Sequence, residues 1–254
     1  MATTSSIIVG STVLAMLTRA TWKPADLDIC CPHAYFAHMV SYLIYVEDYT
    51  PTIELPHPHP LGATRFGCTS VVRLRKNDLV VDIVQSAGES ALEGLRSAWN
   101  TSLLCYVTAS SFTIAYPATA EVQRSILRPI HLVGQRFPAG SILEHIKTYR
   151  NRGCDIRVAA KSWQRELNLD AECSGLGTEN CALTVRWFGD RFCVTGGWWD
   201  VAAVRARLPR RPSAHELTLA WWDGGLHESG RCRGHGKFSV PSTTMILKAV
   251  LGGR

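Results

Sequence analysis

Short apolar runs and amphipathic stretches alternate through the first part of the chain. Residues 7–9 form an apolar run with β propensity, and residues 13–17 then place apolar side chains at helical spacing. Residues 26–31 begin with acidic and apolar side chains in alternation, so a strand there would send the acids to one face and the apolar residues into a core. Apolar positions recur at helical spacing over residues 35–44, which predicts a helix lying against a sheet.

The following segments predict a pair of strands, a helix and another strand. Residues 66–74 and 79–85 are rich in β-branched side chains and flank the polar residues 75–78, a pattern typical of a hairpin. Residues 89–107 carry apolar side chains at helical spacing, and residues 112–116 form a short strand that a proline ends. The hairpin would bring its second strand into a mixed sheet.

Patterns further along the chain predict more helices and a second hairpin. Helical spacing over residues 118–127, 141–152 and 159–167 predicts three helices, and the second of these begins at a serine cap and ends at a glycine. Residues 184–188 and 191–195 flank a Gly-Asp turn and predict a hairpin. Because helices and strands are interspersed, the predicted fold class is α/β, in the wider sense α+β, with a mixed sheet flanked by helices.

The character of the chain changes near residue 134, where a glycine-containing stretch separates the two halves. The predicted division is therefore a core over residues 1–134 and an accessory α+β region over residues 135–254.

The composition is that of an ordinary globular protein. The chain has 254 residues, of which 46% are hydrophobic and 19% are charged, so a sizeable core is expected. A net charge of +6 and a pI near 8.9 favour polyanionic ligands such as nucleotides or RNA. The nine cysteines are an odd number without framework spacing, and they are expected to be reduced and buried. Without an export signal or an apolar run of about 18 residues, the sequence predicts no membrane association and a cytoplasmic or nuclear location.

Three aspartates mark the candidate site. Asp26 and Asp28 share one face of a predicted strand, and Asp82 interrupts an apolar strand, where an isolated charge is costly unless it meets a cation or a partner. Carboxylate oxygens are hard ligands suited to Mg²⁺. Gly10 and Ser11 lie between the first strand and a helix, whose free N–H groups favour a phosphate. The sequence therefore predicts a metal site and a phosphate site side by side.

This ordered set of motifs resembles that of the nucleotidyltransferase-fold superfamily, the DNA polymerase beta-like group, in a divergent eukaryotic branch. The resemblance implies a nucleotidyltransferase-like sheet and an enzyme that uses two Mg²⁺ ions, or Mn²⁺, to transfer a nucleoside monophosphate from a nucleoside triphosphate to a hydroxyl group. The donor nucleotide and the acceptor are left open, and RNA and a protein are the two candidate acceptors. The resemblance also implies catalytic and metal-binding roles for Asp26, Asp28 and Asp82, and binding of the nucleotide phosphates by Gly10 and Ser11.

Three other interpretations are open at this point. The chain could keep the fold in a catalytically inactive form, as a binding or scaffold protein. It could instead bind RNA through its basic C-terminal half, where residues 205–211 contain four arginines near pairs of tryptophans. In the third interpretation the three aspartates are surface and edge-strand charges without a shared function.

Overall fold

The computed structural model describes residues 1, 3–52, 67–128, 140–158, 163, 186–197 and 219–221. The chain divides into two compact units. The first unit takes residues 1–98, 103–114 and 194–217, and the second takes residues 99–102, 115–193 and 218–254. The predicted boundary near residue 134 lies outside the described residues, and the division into a core and an accessory region stays a prediction.

The secondary structure consists of twelve strands and four helices among the described residues. The strands are β1 (Ile7–Val9), β2 (Leu27–Cys31), β3 (Thr50–Pro51), β4 (Cys68–Lys76), β5 (Leu79–Ser86), β6 (Cys105–Val107), β7 (Ser111–Ile114), β8 (Arg124–Ile126), β9 (Asp155–Arg157), β10 (Arg186–Trp187), β11 (Val194–Gly197) and β12 (Ala220–Trp221). The helices are α1 (Gly10–Leu17), α2 (Phe36–Tyr45), α3 (Pro117–Glu121) and α4 (Gly140–Asn151). Short 3₁₀ segments cover His33–Tyr35, Ala91–Ser97 and Thr101–Leu103.

The first unit is built on an eight-stranded sheet in the order β11-β7-β6-β1-β2-β5-β4-β3. Neighbouring strands are antiparallel except for β2 and β5, which run parallel. Helix α1 contacts β2 and β6, and helix α2 contacts β5. The predicted mixed sheet flanked by helices, and with it the α+β class, is confirmed. The narrower nucleotidyltransferase-like arrangement stays a prediction.

The core of the first unit lies between α2 and one face of β2, β5 and β4. Met39 and Leu43 of the helix are buried against Ile29, Leu74 and Ile83 of the sheet. Because side chains alternate along a strand, the aspartates of β2 and β5 lie on the opposite face. The hydrophobic effect on one face of the sheet therefore fixes the direction in which the acids point.

The long helix predicted over residues 89–107 is wrong. The segment forms the 3₁₀ stretches Ala91–Ser97 and Thr101–Leu103, followed by strand β6. Gly94 weakens an α-helix, and it lies so close to Cys30 that a Cβ atom built on it would be 2.6 Å from the cysteine Sγ. Tertiary packing of this buried segment therefore overrides its helical periodicity.

The helix predicted over residues 118–127 is largely wrong as well. Only α3 is helical, because Gln123 has a left-handed backbone with φ of 54° and ends the turn. Residues 124–126 then form β8, which pairs with β9 in parallel. The two short strands form a separate sheet in the second unit.

The hairpin predicted around residues 184–195 is also wrong. Strand β10 pairs with β12, and β11 pairs with β7, so neither strand pairs with the other. The Gly-Asp turn is real, since Gly189 has φ of 91° and the Asp190 carboxylate accepts hydrogen bonds from the N–H groups of Phe192 and Cys193. The Asp190 carboxylate also forms an ion pair with a buried arginine, and the chain continues from Asp190 as a compact loop.

That arginine, Arg186, organises the aromatic core of the second unit. Its side chain is 1% exposed and forms an ion pair with Asp190, and its Nη2 donates to the Ala115 carbonyl oxygen at 2.6 Å. The guanidinium carbon lies 4.6 Å from the centre of the Tyr116 ring and 5.7 Å from that of Trp221. A buried charge is tolerated here because its donors have a carboxylate, a carbonyl and aromatic faces as partners.

The remaining predictions of local structure are confirmed where they can be compared. They are the strands near residues 7–9, 26–31 and 112–116 and the helices near residues 13–17, 35–44 and 141–152. The first hairpin is also confirmed, but its turn contains only residues 77–78 and not the predicted residues 75–78. The helix predicted over residues 159–167 lies almost wholly outside the described residues. In the part of the chain that is described, no helix is both long enough and apolar enough to cross a bilayer.

Candidate metal centre

The three predicted aspartates come together at one place on the sheet of the first unit. Asp28 and Asp82 are direct neighbours across the parallel pair of β2 and β5. Asp26 lies immediately before β2, two positions ahead of Asp28, and its carboxylate reaches the same place. One carboxylate oxygen from each of the three residues can be chosen so that all lie within 4.8 Å of one another. This spacing allows a single cation to contact all three carboxylates.

The glycine-serine turn lies directly beside this cluster. Gly10 begins α1 with φ of 76°, a left-handed conformation that favours glycine. Its Cα faces the Asp28 carboxylate so closely that a Cβ atom built there would overlap the Oδ2 atom. Ser11 follows in the first turn of the helix and is half-buried. The predicted phosphate-binding residues and the predicted metal ligands are therefore adjacent in space.

The start of α1 offers N–H groups to this place. Val9 is the residue before the helix, and it has an extended backbone and no polar side chain to cap the first turn. The positive end of the helix therefore points to the neighbourhood of the acids. Thr12 holds the geometry, because its Oγ1 donates a hydrogen bond of 2.6 Å to the backbone oxygen of Asp26. Sequence reasoning missed this role, although a hydroxyl residue in the first turn is the available signal.

Electrostatics at the cluster favour a cation. The pKa of Asp28 is raised from 3.8 to about 7, first by burial and then by the negative charges of Asp26 and Asp82, while Arg73 works in the opposite direction. A carboxyl group whose ionised form is this unfavourable gains most from a divalent ion that offsets the neighbouring charges. The donor set consists of hard oxygens, which suits Mg²⁺ or Mn²⁺ better than a soft metal.

Arg73 is the second residue that sequence reasoning missed. It lies opposite Asp82 in the β4–β5 hairpin. Its Nε donates to Asp82 Oδ1 at 2.8 Å and its Nη2 donates to Oδ2 at 2.7 Å, a two-pronged ion pair. The signal for it was the hairpin register, because a two-residue turn at Asn77 and Asp78 sets Arg73 against Asp82. One of the three acids therefore already has a cationic partner.

The six described cysteines play no part in this site. None of them forms a disulfide, and Cys30, Cys31, Cys68 and Cys105 are buried, as expected, whereas Cys154 and Cys193 are only half-buried. Burial raises the pKa of each of these four thiols, so the reactive thiolate is disfavoured. The basic stretch at residues 205–211, predicted as an RNA-binding alternative, lies outside the described residues.

Comparison of the chain with models of known protein families, with curated proteins and with solved structures found no match. The function therefore has to be argued from the site itself.

Proposed function

We propose that the protein is a Mg²⁺-dependent nucleotidyltransferase. It would transfer a nucleoside monophosphate from a nucleoside triphosphate to a hydroxyl group, with release of pyrophosphate. The observation that carries this proposal is the convergence of Asp26, Asp28 and Asp82 within 4.8 Å, at the point where the Gly10 turn opens helix α1. Acids for divalent ions and helix N–H groups for a phosphate are the two elements that phosphoryl transfer requires of a protein.

The residues fit the implied ions. Asp26 and Asp28 would hold the two Mg²⁺ or Mn²⁺ ions, and Asp82 would help to hold one of them. When bound, the ions would stabilise the charge that develops on the attacking and leaving oxygens of an in-line displacement. The burial and mutual repulsion that raise the pKa of Asp28 support this assignment, because a divalent ion would offset the repulsion that Asp26 and Asp82 exert on Asp28.

The chain's own groups would position the reactants. The N–H groups at Gly10 and Ser11 would hold the terminal phosphates, with Thr12 keeping the helix attached to the start of β2. An acceptor oxygen would bond to the α-phosphorus as the bond from that phosphorus to the bridging oxygen breaks. Pyrophosphate would leave with the bridging oxygen, and the hydroxyl proton would pass to the carboxylate of Asp82.

One observation favours a second candidate, a non-catalytic protein that retains the fold for binding or scaffolding. Both oxygens of Asp82 accept hydrogen bonds from Arg73, and the Asp82 side chain is only 12% exposed. A permanent ion pair of this kind would occupy the third carboxylate and leave only Asp26 and Asp28 for ions. The two candidates therefore differ in whether Asp82 can exchange its partner.

Pyrophosphate release separates the two candidates. The native chain would be incubated with each labelled nucleoside triphosphate, with Mg²⁺ or Mn²⁺ and with RNA or protein acceptors. Release should be lost in Asp26→Asn and in Asp28→Asn but kept in the control Asp78→Asn, which makes the same chemical change in the exposed turn between β4 and β5. Equal behaviour of the native chain and both site variants would favour the non-catalytic candidate.

A further inference from the structure

The ion pair between Arg73 and Asp82 joins a partly exposed cation to a buried anion. The Arg73 side chain is 40% exposed, whereas the Asp82 side chain is 12% exposed. Neighbouring strands hold the two residues opposite each other, so the Arg73 backbone stays beside the acids whatever its side chain does. Rotation about the side-chain bonds of arginine can therefore move the guanidinium towards solvent without any change in the sheet.

The same ion pair opposes the entry of a cation. A divalent ion that contacts all three carboxylates would use an oxygen of Asp82, and both of these oxygens already accept a hydrogen bond from Arg73. The ion would also lie next to the positive guanidinium, and like charges at this separation repel each other. Arg73 therefore competes with the ion for Asp82.

A triphosphate removes this competition because it offers Arg73 another partner. A phosphate presents two oxygens to the guanidinium fork in the same way as a carboxylate does. In the proposed function the phosphates lie at the start of α1, and Gly10 at that position is in contact with the neighbouring carboxylate of Asp28. Strands β2 and β5 lie between β1, which precedes Gly10, and β4, which carries Arg73. A triphosphate that extends from the start of α1 across these two strands would bring its oxygens to the Arg73 side chain.

We infer that Arg73 is a positioning residue that exchanges Asp82 for the nucleotide phosphates, so that divalent ions and triphosphate enter the site together. This inference rests on the proposed function. It assigns Arg73 two opposite effects, since the residue weakens the binding of a metal ion alone and strengthens the binding of a metal–triphosphate complex. Such coupling is reciprocal, because each ligand must favour the other to the same extent.

Two binding measurements on the full chain test the inference. The first is the affinity for Mn²⁺ alone, read from the electron paramagnetic resonance signal of the free ion. The second is the affinity for a fluorescent, non-hydrolysable triphosphate saturated with Mg²⁺. In Arg73→Gln we expect the Mn²⁺ affinity to rise about tenfold and the affinity for the Mg²⁺–triphosphate complex to fall about tenfold, each corresponding to about 1.4 kcal/mol.

The control is Arg75→Gln, which removes the same charge from the same face of β4, one pleat further along and opposite Val80. It should change both affinities by less than about threefold, the effect of a screened surface charge. Arg73→Lys keeps the charge but not the fork, so it should give the same two changes to a smaller extent. It also serves as the test variant if the glutamine variant does not fold.

The possible results are distinct. Changes of opposite sign support the inference, whereas a fall in both affinities shows that Arg73 only supports the structure of the site and overturns it. Unchanged affinities overturn it as well. If neither the native chain nor any variant binds Mn²⁺ at millimolar concentration, the proposed function itself fails, and this result differs from a native chain that binds Mn²⁺ without an effect of Arg73.

Discussion

The Asp28→Asn substitution should change how the stability of the metal-free protein depends on pH. The pKa of Asp28 is raised in the folded protein from 3.8 to about 7, mainly by burial. Between these two pH values the folded protein still binds a proton that the unfolded chain has lost. Stability therefore falls as the pH rises through this window, and asparagine removes this fall because it does not ionise.

The size of the effect follows from the two pKa values. With 3.8 for the unfolded chain and about 7 for the folded protein, and about 1.4 kcal/mol for each unit between them, the ionised carboxylate costs the folded state about 4 kcal/mol at high pH. Part of this cost is already present at about pH 5, so the change between about pH 5 and about pH 8 is about 3 kcal/mol. That amount is a large fraction of the stability of a typical domain.

The assay is urea unfolding in the presence of a chelator, followed by tryptophan fluorescence at several pH values. We expect the difference in unfolding free energy between Asp28→Asn and the native chain to grow by about 3 kcal/mol in favour of the variant as the pH rises from about 5 to about 8. Asp78→Asn, in the exposed β4–β5 turn, should follow the native curve. Parallel curves for Asp28→Asn and the native chain would refute the reasoning.

Three further predictions concern stability and can be checked by the same unfolding assay. Gly10→Ala should lower the free energy of unfolding by about 1 to 3 kcal/mol, because the glycine has φ of 76° and the new methyl group would overlap the Asp28 carboxylate. An unchanged free energy of unfolding would mean that the turn can move. Arg186→Met should lower the free energy of unfolding by about 3 to 5 kcal/mol, because it leaves the Asp190 carboxylate, which is 3% exposed, without its cation. A smaller loss would show that water reaches this carboxylate. Ile83→Ala should lower the free energy of unfolding by about 2 to 5 kcal/mol, since the residue is 0% exposed at the centre of the sheet. A loss near zero would contradict the packing of Ile83 against α2.

Elements with one dominant period were predictable, and elements that are buried on several sides were not. Helix α2 has a single apolar face, with Met39 and Leu43 against the sheet, and its periodicity is therefore informative. In the segment over residues 89–107 buried apolar residues occur at almost every phase, so a helical period can be found there although Gly94 and the neighbouring Cys30 require another conformation. The paired strands β8 and β9 escaped prediction because each is only three residues long and carries charged side chains, whereas β1, which is equally short, is wholly apolar.

The convergence of the three aspartates could be predicted from the sequence. The ion pair between Arg73 and Asp82 was missed because the predicted loop between β4 and β5 was too long. The alternation of side chains on β2 and β5 is enough to put Asp28 and Asp82 on one face. The predicted loop over residues 75–78 would have placed Arg73 opposite Val80. The actual turn contains only Asn77 and Asp78, so Arg73 pairs with Asp82. A difference of two residues in the length of the loop thus decides which residue lies opposite Asp82.

The pairing of β11 with β7 makes the folding of the first sheet depend on a late part of the chain. Thr113 and Thr195 share a hydrogen bond of 3.1 Å across this pair, although residues 115–193 lie between the two strands. Contacts between residues so far apart in sequence slow folding. During synthesis β7 is an open sheet edge, the kind of surface on which chains aggregate. The sheet of the first unit therefore stays incomplete along its β7 edge until Gly197 has been synthesised.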